Sequence, residues 1–161
     1  MLLRYFLFYV ILITISATQE IVVDPIVQWE NCNNCYAVVA RDVLLWHRPK
    51  YKNITLHDMM KLSHQTCNGG IPTRIWDLYF QKKSKTTAIT KAVIKKLQKL
   101  IQLYGPVVIN KGKEQHLVTV FKANQNGILV RDPRTLELEI WSKHKIQGML
   151  PLTYVAYPKV K

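Results

Sequence analysis

The hydrophobic period of this chain changes at Gly105-Pro106, and that change limits its fold more than any other feature. Upstream, apolar residues recur at helical spacing. Ala37, Val38, Leu44 and Leu45 belong to one such pattern, which runs from Asn33 or Asn34 to Trp46 and stops at Pro49. "TLHDMMKLSHQ" predicts a short second helix capped by Thr55, and "IPTRIWDLYFQ" a third after the break at "CNGG". A fourth is predicted over "TTAITKAVIKKLQKLIQLYG". There Ile89, Val93, Leu97, Leu100 and Ile101 form one stripe, Lys91, Lys95 and Lys99 lie opposite, and Gly105 ends the helix. Downstream, "VVINK", "HLVTVFKA", "GILVRD", "LELEIWS" and "TYVAYP" are short β-rich runs punctuated by Gly, Asn and Pro. "NQNG" reads as the hairpin turn between the second and third of them. Helices first and strands second make an α+β fold, a helical N-terminal half packed against a C-terminal antiparallel sheet.

The 161 residues suit one domain with one core. Residues 1–17 have the outline of a secretory signal peptide: Arg4, an apolar run, then small residues around Ser16 and Ala17. The mature domain would be 18–161, secreted or periplasmic. A short membrane anchor is the alternative, but the apolar run is brief and no basic cluster follows it. Export makes disulfides permissible. The three cysteines are an odd number, so one thiol remains after any internal pair.

The formal net charge is +13, and its excess is uneven. From Leu78 to Lys113 there is no acidic residue, while Lys82, Lys83, Lys85, Lys91, Lys95, Lys96, Lys99, Lys111 and Lys113 all fall there. Such a face suits solubility, or contact with an anionic surface such as a membrane or cell wall. Nucleic acid is disfavoured as a partner, because no aromatic platform interleaves with the lysines and no recognition motif is present.

Cys35 falls at the start of the first helix, where unpaired N–H groups and the helix dipole favour an anion, and hence a thiolate. His116 opens "HLVTVF" on the face shared with Val118 and Val120. On the next strand Ile128, Val130 and Asp132 share a face, and an odd or bulged loop through Asn124 to Gly127 sets His116 against Asp132. Alone, His116 is a strand histidine and Asp132 a strand-end "DP" turn. Together with Cys35 they make a Cys/His/Asp arrangement for nucleophilic catalysis, with the carboxylate holding the imidazole in one tautomer.

These segments resemble the papain-like cysteine proteases. "QWENCNNCYAVV" is similar to the family's active-site segment, a glutamine followed by Cys-x-x-Cys-aromatic at the start of the central helix, here with Tyr36 in place of tryptophan. "CNGG", Cys67 to Gly70, resembles its second signature, and "GPVVI…QHLVTV" the approach to the catalytic histidine. Asp132-Pro133 looks more like the compact bacterial C39-type and AvrRpt2-type branches, and no Asn-Ser-Trp-Gly segment follows the histidine. The resemblance implies Cys35 as nucleophile, His116 as base and then acid, Asp132 as its orienter, and Gln28 as a donor to the oxyanion. It implies a Cys32–Cys67 disulfide, and a substrate cleft lined by Gly69, Gly70 and Trp29. It also implies a protein or peptide substrate, a monomer, and no cofactor.

Other classes compete for the same residues. Cys32, Cys35, His64 and Cys67 have spacing acceptable for a structural zinc site, although oxidation outside the cell competes for the thiols. A redox Cys-x-x-Cys would want a preceding βαβ context, which is missing. Cell-wall amidases of the NlpC/P60 and CHAP types also place a cysteine at a helix start, but have no need of "CNGG". A catalytically inactive papain-like binding module or toxin, working through its basic face, is the non-enzymatic option. Intact Cys35, His116 and Asp132 argue against it. A small exported domain of this kind suggests, by analogy, a bacterial effector. His47, His57 and His144 read as exposed, Met59 and Met60 as helix packing, and Trp29, Trp46, Trp76 and Trp141 as core, although Trp29 lies near the expected cleft.

Overall fold

A computed structural model describes residues 34–62, 84–89, 91–110, 116–135, 137–150 and 152–158. Its helices are α1 (Cys35–His47), α2 (Leu56–Leu62), α3 (Val93–Tyr104) and α4 (Lys143–Gly148), with a 3-10 turn over Pro49–Tyr51. Its strands are β1 (Ser84–Ile89), β2 (Val107–Asn110), β3 (Leu117–Asn124), β4 (Gly127–Arg131), β5 (Leu138–Ser142) and β6 (Leu152–Pro158). They form one sheet in the order β1-β6-β2-β3-β4-β5, with every pair antiparallel. The predicted α+β class with an antiparallel sheet is what the chain adopts.

Alternation along the strands shows that helices cover both faces. On β2, Val108 joins the core of α1 and α2, whereas Val107 and Ile109 join that of α3. On β3, Leu117 faces the first core, and Val118 and Val120 the second. The second core also takes Ile128, Val130, Trp141, Ile146 and Leu152. The arrangement is therefore helix–sheet–helix in layers, rather than one helical half resting on one sheet.

Every residue of α1 from Cys35 to Leu45 is buried. A helix buried all round needs no amphipathic stripe, and its small and branched residues (Ala37, Val38, Val39, Ala40, Val43) allow close approach on every side. Arg41 is 3% exposed and satisfies loop carbonyls, donating from Nε to Ile54 O at 2.9 Å and from Nη2 to Lys52 O at 3.4 Å. In α2 the Thr55 cap is reciprocal. Asp58 N donates to Thr55 Oγ1 at 3.1 Å, and Thr55 N to Asp58 Oδ2 at 2.9 Å.

The fourth predicted helix is only partly helical, since Ser84–Ile89 is a strand. Thr86, Thr87 and Ile89 are β-branched and pair with β6, Thr87 opposite Val155. The helix starts at Val93, after Ala92 turns the chain with a left-handed φ of 50°. From there Val93 and Leu97 are buried, Lys91, Lys95, Lys96 and Lys99 are exposed, and Gly105 (φ 72°) closes the helix by donating to Ile101 O at 2.8 Å. The expected hairpin turn is present, with Asn124 paired to Gly127. A Cβ at Gly127 (φ 152°) would lie 2.2 Å from Trp141 O. Only glycine lets β5 approach there. Residues 1–33 and the third predicted helix lie outside the described residues. Among those described, no helix is long and apolar enough to cross a membrane.

Candidate active site

His116 is the residue before β3 and Asp132 the residue after β4, so the antiparallel hairpin brings both to its open end. Whether they meet depends on register. At the turn Asn124 pairs with Gly127 and Ala123 with Ile128. Continued without a break, that register would set Asp132 across from Thr119, one residue further from the strand's start. A bulge between Val120 and Lys122 takes up Phe121 and shifts the ladder by one, pairing Val120 with Val130 and Thr119 with Arg131. Asp132, the next residue after that pair, then comes opposite Val118 at the open end where His116 lies. The bulge that the sequence requires exists, but it lies within β3 rather than in the loop.

The result is a hydrogen bond of 2.6 Å between His116 Nε2 and Asp132 Oδ1. Asp132 is itself held by its turn. Arg134 N donates to Asp132 Oδ1 at 2.9 Å, and Thr135 N to Asp132 O at 3.0 Å. The "DP" turn and the orienting carboxylate are one structure. The other side of the ring meets Cys35, the first residue of α1, through a side-chain hydrogen bond. With Nε2 committed to Asp132, Nδ1 is the atom left to face the sulfur. Burial pushes the His116 pKa down, but the hydrogen bonds to Asp132 and Cys35 and the negative charges of both outweigh it, and the pKa ends above the ordinary 6.5. The surroundings thus favour the protonated imidazole at His116. Cys35 is a free thiol, 9% exposed, and His116 is 3% exposed.

Of the predicted site residues, Cys35, His116 and Asp132 are brought together. Gln28, Trp29, Cys32, Cys67, Gly69 and Gly70 lie outside the described residues, as does His64. Among the described residues no group of His, Cys, Asp and Glu is arranged to hold a metal ion. His57 and His144 are exposed, and Met59, Met60 and Trp141 are buried, as expected. His47 is not exposed. It is half-buried, with Cε1 lying 3.3 Å from where a Cβ on Gly105 would stand, and burial lowers its pKa.

Sequence reasoning missed a buried polar cluster next to the triad. Asp42, 2% exposed, accepts from Arg131 Nη1 at 3.0 Å and from Thr119 Oγ1 at 3.0 Å. Burial raises the Asp42 pKa, against the opposing pull of Arg131, the Thr119 hydroxyl and Arg41. The guanidinium of Arg131 also lies over the Phe121 ring, 5.2 Å from its centroid, and Phe121 packs at 6.2 Å from Trp46. The available signal was a charged pair, "RD", inside an otherwise apolar helix.

Solved structures of other proteins share this backbone arrangement. The peptidase domain of Streptococcus ComA, a bifunctional ABC transporter involved in a quorum-sensing pathway, aligns with a TM-score of 0.57 at 20% identity over 85% of this chain and 99% of its own. A double-glycine-motif protease from an AMS/PCAT transporter, in complex with its leader peptide, aligns at 0.57 and 15% identity, over 84% and 91%. A protein described as a C39-like peptidase from Bacillus anthracis aligns at 0.56 and 17%, over 88% and 97%. The fold is that of the C39-like peptidase domains. No protein-family model matches the chain, and no curated protein matches it either. The likeness therefore lives in the backbone, and the C39-like reading of the "DP" strand end agrees with it.

Proposed function

We propose that this chain is an exported cysteine peptidase acting through a Cys35 thiolate. The observation that carries the proposal is the buried relay in which one imidazole is bonded at Nε2 to Asp132, at 2.6 Å, and on its other side to a thiol at a helix start. In the reaction, Cys35 Sγ attacks the carbonyl carbon of the scissile bond. The His116 imidazolium then protonates the departing amine, leaving a thioester and a neutral ring. His116 next takes a proton from water as it attacks the thioester, and Sγ leaves as the thiolate beside the restored imidazolium. Asp132 keeps the ring in one tautomer and stabilises its charged form. Gln28 and the Cys35 backbone N–H would hold the oxyanion. Gly69, Gly70 and Trp29 would line the cleft, and Cys32–Cys67 would be a structural disulfide. A peptide substrate is supported by the leader peptide bound to the AMS/PCAT protease of the same fold.

The first test is intact-mass spectrometry of the secreted protein, alkylated with iodoacetamide without reductant. One adduct on Cys35, with Cys32 and Cys67 joined and residues 1–17 removed, is the expected result. A Cys32–Cys35 disulfide would overturn the assignment. Against a peptide library, Cys35→Ala should abolish turnover while leaving the fold intact. Cys32→Ala or Cys67→Ala should instead lower stability by about 2–4 kcal/mol.

A further inference from the structure

We propose that the cavity between α3, α4 and the β3–β4 turn is a second binding site, for a small amphiphilic anion: one anionic head on an apolar chain. The site goes beyond the peptidase reading and does not rest on it. The cavity holds about 590 Å³, within the range of roughly 300–1,000 Å³ usual for small-molecule sites. It lies at the turn end of the hairpin, where Gln125 lines it, whereas His116 lies at the open end. The length of β3, Leu117–Asn124, separates the two ends, roughly 25 Å at the rise of a strand. The cavity is therefore no part of the Cys35–His116–Asp132 site.

Its apolar lining is continuous with the second core. Val93 of α3 and Ile146 of α4 are 6% and 2% exposed and belong to that core, and Ile94 and Leu150 are half-buried against it. Its polar lining carries positive charge and donors. Lys95 comes from α3 and Lys143 from α4, and Gln98, Gln125 and Gln147 bring carboxamide donors from the two helices and the turn. Among the described residues no carboxylate lines the cavity. The chain around α3 has none to offer, since Leu78 to Lys113 is free of acidic residues. The acid nearest Lys143 in the chain, Glu139, is already engaged. It accepts from Trp141 Nε1 at 3.0 Å and from Lys145 Nζ at 3.5 Å.

These two linings select the ligand by chemistry. A wholly apolar molecule would strip water from the lysines and glutamines and give nothing back. A cation would meet two like charges and no counter-charge. An anion with an apolar tail answers both, its tail displacing water from Val93, Ile94, Ile146 and Leu150 and its head pairing with Lys95 and Lys143. A free carboxylate and the acyl chain of an anionic lipid share this chemistry, and the experiment separates them.

The test uses the full chain with sodium decanoate below its micelle concentration, read by methyl NMR. Saturable shifts are expected at Val93, Ile94, Ile146 and Leu150, with Val108 and Leu117, in the core of α1, unmoved. Replacing Lys95→Gln and Lys143→Gln together should raise the dissociation constant by about tenfold or more. Lys96→Gln with Lys99→Gln removes the same charge outside the lining, and should leave the constant within about twofold. All four lysines are exposed, so both double variants should fold. Butyrate, a head without the tail, and decylammonium, the tail with the opposite head, should each bind far more weakly. Vesicles of anionic phospholipid form the second arm. If they perturb the same methyls and decanoate does not, the site takes a bilayer lipid; if decanoate does, it takes a free acid. Equal binding of decylammonium, equal losses in the two double variants, or no saturable change with either probe overturns the proposal.

Discussion

To lose its proton in the folded chain, His116 must do so between the Asp132 carboxylate and the Cys35 thiol, and that has a consequence for stability. Its pKa is raised by folding, so the native state holds the proton more tightly than the unfolded state does. The stabilisation is therefore complete below the ordinary value of 6.5 and is lost as pH rises through the folded pKa. Urea unfolding across this range should show wild-type stability falling above pH 6.5, and Asp132→Asn should flatten the slope. Identical slopes would mean that the carboxylate does not hold the imidazolium. The three residues brought together at the site were legible in the sequence because each carries its chemistry in its type and local setting: a cysteine at a helix start, and a histidine and an aspartate at strand ends. Asp42 and Arg131 were not, because their meaning lies in a contact between residues 89 apart, and no local pattern encodes that.

Among the elements, the β3–β4 hairpin and its neighbour β5 depend on one position. A side chain at Gly127 would meet the backbone oxygen of Trp141, which cannot move without breaking the β4–β5 ladder. Gly127→Ala should cost on the order of 2 kcal/mol or more in chemical unfolding. Gly148 is the control: a Cβ there meets nothing within 4 Å, so Gly148→Ala should stay within about 0.5 kcal/mol of wild type. An equal effect at the two sites would remove the packing argument. The helices α1, α2 and α3 and strands β2 to β6 could be read from periodicity and turn residues. β1 could not, since Ile89 falls in step with Val93 and Leu97 and extends the apparent helical stripe across the boundary at Ala92. Its partner β6 lies at the far end of the chain, and pairing across such a span outweighs local spacing.

For the molecule as a whole, charge and layering set what the surface meets. The outer face of α3 presents exposed Lys95, Lys96 and Lys99, with exposed Lys91 just before the helix, within a chain of net charge +13. Co-sedimentation with anionic vesicles, falling as salt rises and weakened when these lysines become glutamate, is the expected behaviour of a surface-docking face. Salt-independent or absent binding would leave the face a solubility feature. The antiparallel sheet was foreseeable from the change of period. Its cover on both faces was not, because α3 and α4 enter the chain between strands and the order of elements conceals the layers. The distance along the chain between the groups of the candidate site also acts in time. The thiol at position 35 is synthesised 97 residues before Asp132. At roughly 5–20 residues per second, it exists for about 5–20 s before the carboxylate that orients its base has been made. Under the proposed peptidase reading, a growing chain carries a nucleophile that cannot yet cut, and it becomes competent only once β4 is in place.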